Sequence, residues 1–202
     1  MTKRMNLTLL IILLPIIIII ASTDSVIFNK QAYLKYESDI ENKEEIITNL
    51  LDYFKNNKEL IEQEGFTQEE KLHFLDVKNI IRVLNSILLF TLILTSMLLI
   101  KLFTETKKNK LRKLFSSYLI IGSSITIPIV LIIFLLSLNF NNSFNLFHSV
   151  LFKAGTWTFS ATSLSIQLFP IELFQRFTKL ILTRITFVSF ILLTIGVAYK
   201  KH

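Results

Sequence analysis

The chain has 202 residues, 51% of them hydrophobic, and a formal net charge of +7; its mean hydropathy of +0.55 is that of an integral membrane protein rather than a soluble domain. It contains no cysteine, which excludes disulfides, thiolate nucleophiles and cysteine-based zinc sites. Acidic residues gather in 24–77 and basic ones lie between and after the apolar runs, with no basic groove interleaved with aromatics, so no nucleic-acid partner is expected.

The first apolar run covers 7–21, behind Lys3 and Arg4. Ala21-Ser22-Thr23 resembles a signal-peptidase site, but Ile16 to Ile20 continue the run past Pro15, so 1–23 is read as an uncleaved first transmembrane helix. A second span occupies 78–103, apolar from Val83, and a third 115–138; the fourth, with the tail, takes 178–202 and is apolar from Leu180 to Tyr199. Each approaches the ~20 residues that cross ~30 Å of hydrocarbon. The 18 phenylalanines find most of their explanation in lipid contact.

Lysine and arginine set the expected orientation. Lys3-Arg4, the loop 104–114 with Lys107, Lys108, Lys110, Arg112 and Lys113, and the tail Lys200-Lys201 fall on one face if four helices cross. The positive-inside rule puts that face, and both termini, in the cytoplasm. Segments 24–77 and 139–177 are then extracytoplasmic. The expected fold is an all-α membrane protein of four transmembrane helices with a small helical extracytoplasmic cap.

In the cap, Ser38-Asp39-Ile40-Glu41 reads as a capping box. It opens an amphipathic helix with Ile46, Ile47, Leu50, Leu51 and Phe54 on one face. A short helix is expected over 58–64, ending at Gly65. So small a stretch cannot hold an independent core and should dock on the helix ends. Thr67 as N-cap with Glu70 at N3 starts a further helix that runs through His73 into the second span. After the third span, Asn139-Phe140-Asn141-Asn142 reads as a turn, and Phe144, Phe147, His148, Leu151 and Phe152 form an aromatic helical face. The segment 144–177 is read as an interfacial platform rather than a fifth span.

Of the three histidines, His73 precedes the second span and His148 follows the third, at one depth on one face. Two imidazoles so placed can accept and donate a proton near neutral pH. Asp76, at i+3 from His73, can orient that ring. Taken singly, either histidine is a polar residue at a membrane boundary, Trp157 a belt anchor, and Lys78 a side chain snorkelling to lipid or holding a headgroup. No HExxH, Walker loop, GxSxG or EF-hand pattern occurs. His73, His148 and Asp76 could form a two-histidine, one-carboxylate ligand set, but no spacing demands it; the reading takes no metal and no cofactor.

The block His73-x-x-Asp76-Val77-Lys78, with Phe147-His148, Trp157-x-Phe159 and Leu168-Phe169-Pro170, resembles the lipoprotein intramolecular transacylase (Lit) family of integral membrane proteins. Phe28-Asn29 with Tyr33 and Tyr36 also fits, whereas 160–165 lacks the acidic residue and proline of the family pattern. The resemblance implies transfer of the sn-2 acyl chain of a diacylglyceryl lipoprotein to the α-amino group of its N-terminal cysteine, giving a lyso-form lipoprotein. It implies His73 and His148 as the catalytic pair, in either order of base and acid, with Asp76, Lys78, Phe147, Trp157 and Phe159 orienting or binding substrate. It further implies a monomer in membrane lipid of the bacterial cytoplasmic membrane, with the active site on the extracytoplasmic face and a diacylated lipoprotein as substrate. The competing reading is a non-enzymatic accessory or transport subunit. Transport is disfavoured because the span interiors hold no Asp, Glu or Lys, with Arg184 the nearest exception.

Overall fold

The computed structural model describes residues 3–36, 40–56 and 65–201, and every regular element among them is an α-helix. In chain order these are α1 (Lys3–Ile27), α2 (Lys30–Leu34), α3 (Lys43–Lys55), α4 (Gln68–Glu105), α5 (Lys108–Ser137), α6 (Phe140–Leu151), α7 (Leu164–Leu168) and α8 (Ile171–Lys201). Four stretches are long and apolar enough to cross a membrane: Met5–Ile27, Gln68–Glu105, Lys110–Ser137 and Ile171–Lys200. The protein is an all-α integral membrane protein with four candidate spans. Pro15 and Pro128 both lie inside these helices; an apolar helix tolerates a proline where neighbours re-satisfy the freed carbonyl.

The helices outrun the apolar runs because polar flanks remain helical. At ~1.5 Å per residue, the 38 residues of α4 extend ~57 Å, well beyond the ~30 Å of hydrocarbon. Its charged opening turns, from Gln68 to Arg82, are the part unsuited to lipid. By contrast α6, of 12 residues, is too short to span.

Two boundaries differ from expectation. Helix α3 starts at Lys43, after Asn42 in the left-handed region at φ 58°, so Glu41 lies outside the helix that the expected capping box would have opened; Ser38 and Asp39 lie outside the described residues. The expected helix over 58–64 also lies outside them, while Gly65 at φ +114° holds the left-handed turn that suits glycine. Helix α6 begins at Phe140, with Asn139 as its N-cap, so Asn141 and Asn142 are helical rather than part of a turn.

The chain divides into two compact units. The first comprises 1–24, 84–134 and 181–202, with a core of Leu10, Leu13, Leu14, Ile18, Leu98, Leu102, Tyr118, Leu119 and Ile185. Phe90, Met97, Leu131, Phe187 and Phe190 are exposed, as lipid-facing side chains are. Helices α5 and α8 approach closely at Gly196, where an added Cβ would stand 2.9 Å from Leu119 Cβ. Small polar groups bond across that approach: Ser116 Oγ donates to the Gly196 carbonyl at 2.7 Å, and Thr126 Oγ1 to Ser189 Oγ at 2.7 Å. Such bonds hold apolar helices together where hydrophobic burial supplies no net drive.

The second unit comprises 25–83 and 135–180 and contains both interior histidines. Tyr33 of α2 is fixed by its hydroxyl, which donates to the Ile27 carbonyl at 2.7 Å, and by edge contacts with Phe177 and Phe169 at 4.7 and 6.0 Å. Helix α3 buries Ile47, Leu50, Leu51 and Tyr53. Its buried face is turned slightly from the expected one, toward Tyr53 and away from the half-buried Ile46 and Phe54. Phe54 still reaches Phe74 of α4 at 6.2 Å, and Phe66 meets Phe74 at 5.0 Å.

Candidate active site

Helix α4 opens with the expected reciprocal cap. The Thr67 amide donates to Glu70 Oε2 at 2.7 Å, and the Glu70 amide donates to Thr67 Oγ1 at 3.3 Å, satisfying two donors that a helix start otherwise leaves unpaired. The cap stabilises the first turn of α4, and His73 follows one turn further on.

Helix α6 presents Phe144, His148 and Phe152 at i−4, i and i+4, one face of a helix. His148 is buried, at 8% exposure, and its Nδ1 lies 2.8 Å from the Phe144 carbonyl. A carbonyl oxygen only accepts, so Nδ1 carries the hydrogen, and Nε2 of the neutral ring is left with its lone pair. Burial pushes the His148 imidazole below its ordinary pKa, and the bond to Phe144 partly opposes that shift.

The two histidine rings lie 6.2 Å apart, centroid to centroid, with planes inclined by only 28°. Phe152 touches both, 4.6 Å from His73 and 5.4 Å from His148. Phe144 packs on His148 at 4.0 Å. The loop between α6 and α7 brings Trp157 to 5.0 Å from His148 and Phe159 to 5.6 Å from His73. The imidazoles thus share one aromatic wall. Two polar atoms here, His73 Nδ1 and Trp157 Nε1, are buried without a hydrogen-bond partner; such atoms are few in folded proteins and call for an explanation.

Phe147 lies 5.5 Å from His148 but is 56% exposed. Asp76 is half-buried; it does not hold the buried Nδ1 of His73, which has no partner, and its charge only partly opposes the lowering of the His73 pKa by burial and by His148. Lys78 is buried on α4 with Nζ 3.7 Å from the centre of the Tyr53 ring, a cation–π contact. Among the described residues, no three His, Asp or Glu side chains gather as a metal site requires. Phe144 and Phe152, which the sequence places on the helical face of His148 but not among the site residues, join the histidine contacts at i±4. The sequence marks Glu70 only as a cap residue; it also reaches Ser165, which no local pattern announces.

Comparison with known proteins agrees with this architecture. The family model "Lipoprotein intramolecular transacylase Lit" matches residues 6–174. A solved structure of the membrane integral lipoprotein intramolecular transacylase Lit from Bacillus cereus superposes with a TM-score of 0.86 at 21% identity, covering 98% of this chain and 96% of that one. Two further structures of that protein, with a histidine mutated to arginine or to alanine, give TM-scores of 0.77 and 0.79 at 21% identity, over 98% of this chain and 92% and 94% of theirs. No curated protein matches the sequence. The family match displaces the non-enzymatic alternative. The chain belongs to the Lit family of lipoprotein intramolecular transacylases and is a membrane acyltransferase acting on lipoprotein.

Proposed function

We propose that the protein moves the sn-2 acyl chain of a diacylglyceryl lipoprotein onto the α-amino group of the same molecule's N-terminal cysteine, with His73 and His148 as the proton-transfer pair. The observation that carries this reading is the near-parallel histidine pair at 6.2 Å inside an aromatic wall. The amine nitrogen attacks the ester carbonyl; an amide C–N bond forms, the ester C–O bond breaks, and one proton passes from nitrogen to the glycerol oxygen. The product is an isomer of the substrate.

His148 suits the accepting role. Its Nδ1–H is committed to the Phe144 carbonyl, its burial favours the neutral ring, and Nε2 is then the basic nitrogen. His73, its pKa pushed down to about 4 by burial first and by His148 second, is also neutral at rest; it holds a proton only in passing and releases it readily to the departing glycerol oxygen. Once one ring holds a proton, charge repulsion at this separation disfavours a second on its neighbour, so the pair passes a single proton through the reaction. The indole N–H of Trp157, buried without a protein partner, is a donor available to the oxyanion of the tetrahedral intermediate. The cyclic intermediate is of a size that closes poorly in solution, and a pocket holding amine and ester together lowers that entropic barrier. The phenylalanines keep water from competing with the amine, so transfer wins over hydrolysis.

In this reading the protein acts as a monomer surrounded by membrane lipid, with both termini cytoplasmic and the histidines on the opposite face, where a mature lipoprotein N-terminus lies. Asp76, Lys78, Phe147, Trp157 and Phe159 orient the pair or bind substrate. The test is fragmentation mass spectrometry of a lipoprotein N-terminus from cells with and without the protein. Acyl amide on the cysteine with a monoacyl glyceryl group is expected only when the protein is present. Diacylglyceryl with a free amine in both would overturn the proposal.

A further inference from the structure

We infer that Glu70 is a positioning residue that ties the loop carrying Trp157 and Phe159 to the helix carrying His73. Glu70 is fully buried, at 0% exposure, and both carboxyl oxygens are engaged. Oε2 accepts the Thr67 amide at 2.7 Å, and Oε1 accepts the amide of Ser165, 95 residues away, at 2.7 Å. A helix cap needs only the first of these bonds. The second reaches the opening turn of α7, directly behind the loop that brings Trp157 to His148 and Phe159 to His73. A second contact marks the same junction: a Cβ on Gly65 would stand 3.0 Å from Leu164 Cδ2. The stretch 65–70 therefore meets the stretch 164–165 through packing and a hydrogen bond, one helical turn before His73.

The geometry makes the carboxyl group hard to replace. Each of two amide N–H groups meets its own carboxyl oxygen, an arrangement that needs an acceptor at both positions of the fork. Glutamine offers one oxygen and turns its NH2 toward a donor, leaving a buried N–H unpaired. The loop then loses its fixed distance from α4, and the Trp157 and Phe159 contacts on the histidines loosen. The catalytic consequence rests on the proposed acyl transfer; the positional one does not.

The sole tryptophan of the chain is Trp157, so its fluorescence reads the loop directly. Three variants of the full-length protein in detergent micelles separate clamping from capping: Glu70→Gln, Ser165→Pro and Thr67→Ala. Ser165→Pro removes the loop-side donor and leaves α4 untouched, in the first turn of a helix where proline is tolerated. Thr67→Ala removes the cap hydroxyl and leaves the Glu70–Ser165 bond. Glu70→Gln and Ser165→Pro are expected to red-shift Trp157 emission, raise its quenching by acrylamide, and lower kcat on a diacylated lipopeptide at least about 10-fold with KM within about 3-fold, the scale of lost orienting interactions. Thr67→Ala is expected to lower thermal stability while keeping wild-type emission and kcat. Unchanged emission in both Glu70→Gln and Ser165→Pro would overturn the inference. So would Thr67→Ala reproducing their spectral change, which would reduce Glu70 to a helix cap. If Glu70→Gln fails to fold, Ser165→Pro alone decides the matter by the same readouts. A red shift without acyl transfer in the wild type would leave the clamp standing and sink the proposed reaction instead.

Discussion

Trp157 lies against His148 with ring centroids 5.0 Å apart and planes inclined by 39°, so the single indole of the chain reports on the ionisation of a proposed catalytic base. An imidazolium quenches indole emission far more than a neutral imidazole does. Burial depresses the His148 pKa; emission should therefore fall as pH falls, with a midpoint below the ordinary ~6.5 of histidine. His73 faces His148 across 6.2 Å, so the midpoint belongs to the pair and should shift in His73→Ala and vanish in His148→Ala. The sign for stability follows. The unfolded chain takes up a proton on this residue more readily than the folded one, so stability is lost progressively as pH falls below ~6.5 toward the folded value. A midpoint above 6.5 would contradict the burial argument.

His73→Ala and His148→Ala should each lower transacylation by at least ~10²-fold, the usual scale of general acid–base assistance. Both variants should still insert and accumulate, because neither residue belongs to the apolar core of the span unit. Activity on a diacylated lipopeptide, normalised to protein in the membrane, checks this. Wild-type turnover in either variant would remove the pair from the mechanism.

Asp76→Asn should fall between wild type and the histidine variants, roughly 10-fold down, since Asp76 shares a helical face with His73 but leaves its Nδ1 unbonded. An orienting carboxylate bonded to a ring nitrogen would be worth up to ~10²-fold. Turnover with and without EDTA completes the comparison. Abolition by the chelator, restored by one metal ion, together with an Asp76→Asn loss equal to His→Ala, would point to a metal triad instead.

Because the chain has no native cysteine, single cysteines give a clean topology test. Asn42→Cys should react with an impermeant thiol reagent on intact cells, and Lys108→Cys only after permeabilisation, following the asymmetry of lysine and arginine. The reverse pattern would put the histidines on the cytoplasmic side.

Much of the fold was legible because its strongest signals are local. Four apolar runs of bilayer length gave the four candidate spans, and the Thr67-x-x-Glu70 spacing gave the start of α4 to the residue. The other cap pattern misled: Ser38-x-x-Glu41 has the same spacing, yet α3 begins after Asn42. A cap motif places a helix only where the following residues also bury a face, and here burial begins at Ile47. At the site, shared depth along two helices was enough to bring His73 and His148 together on paper. The details depend on contacts between distant segments: Phe152 touching both rings, Lys78 under Tyr53, and Glu70 bonding to Ser165. Neither hydropathy nor periodicity carries information about which distant partner a side chain meets.

The central claim is that the acyl group moves within one molecule, and a crossover experiment with purified protein tests it most directly. A lipopeptide carrying heavy isotopes in both its peptide and its sn-2 acyl chain is mixed with an equal amount of unlabelled lipopeptide, and the N-acyl products are fragmented in a mass spectrometer. The proton-transfer mechanism at His73 and His148 predicts only heavy peptide with heavy acyl and light with light, no change of total mass, and no free fatty acid. Mixed pairs, or fatty acid released in place of amide, would contradict it.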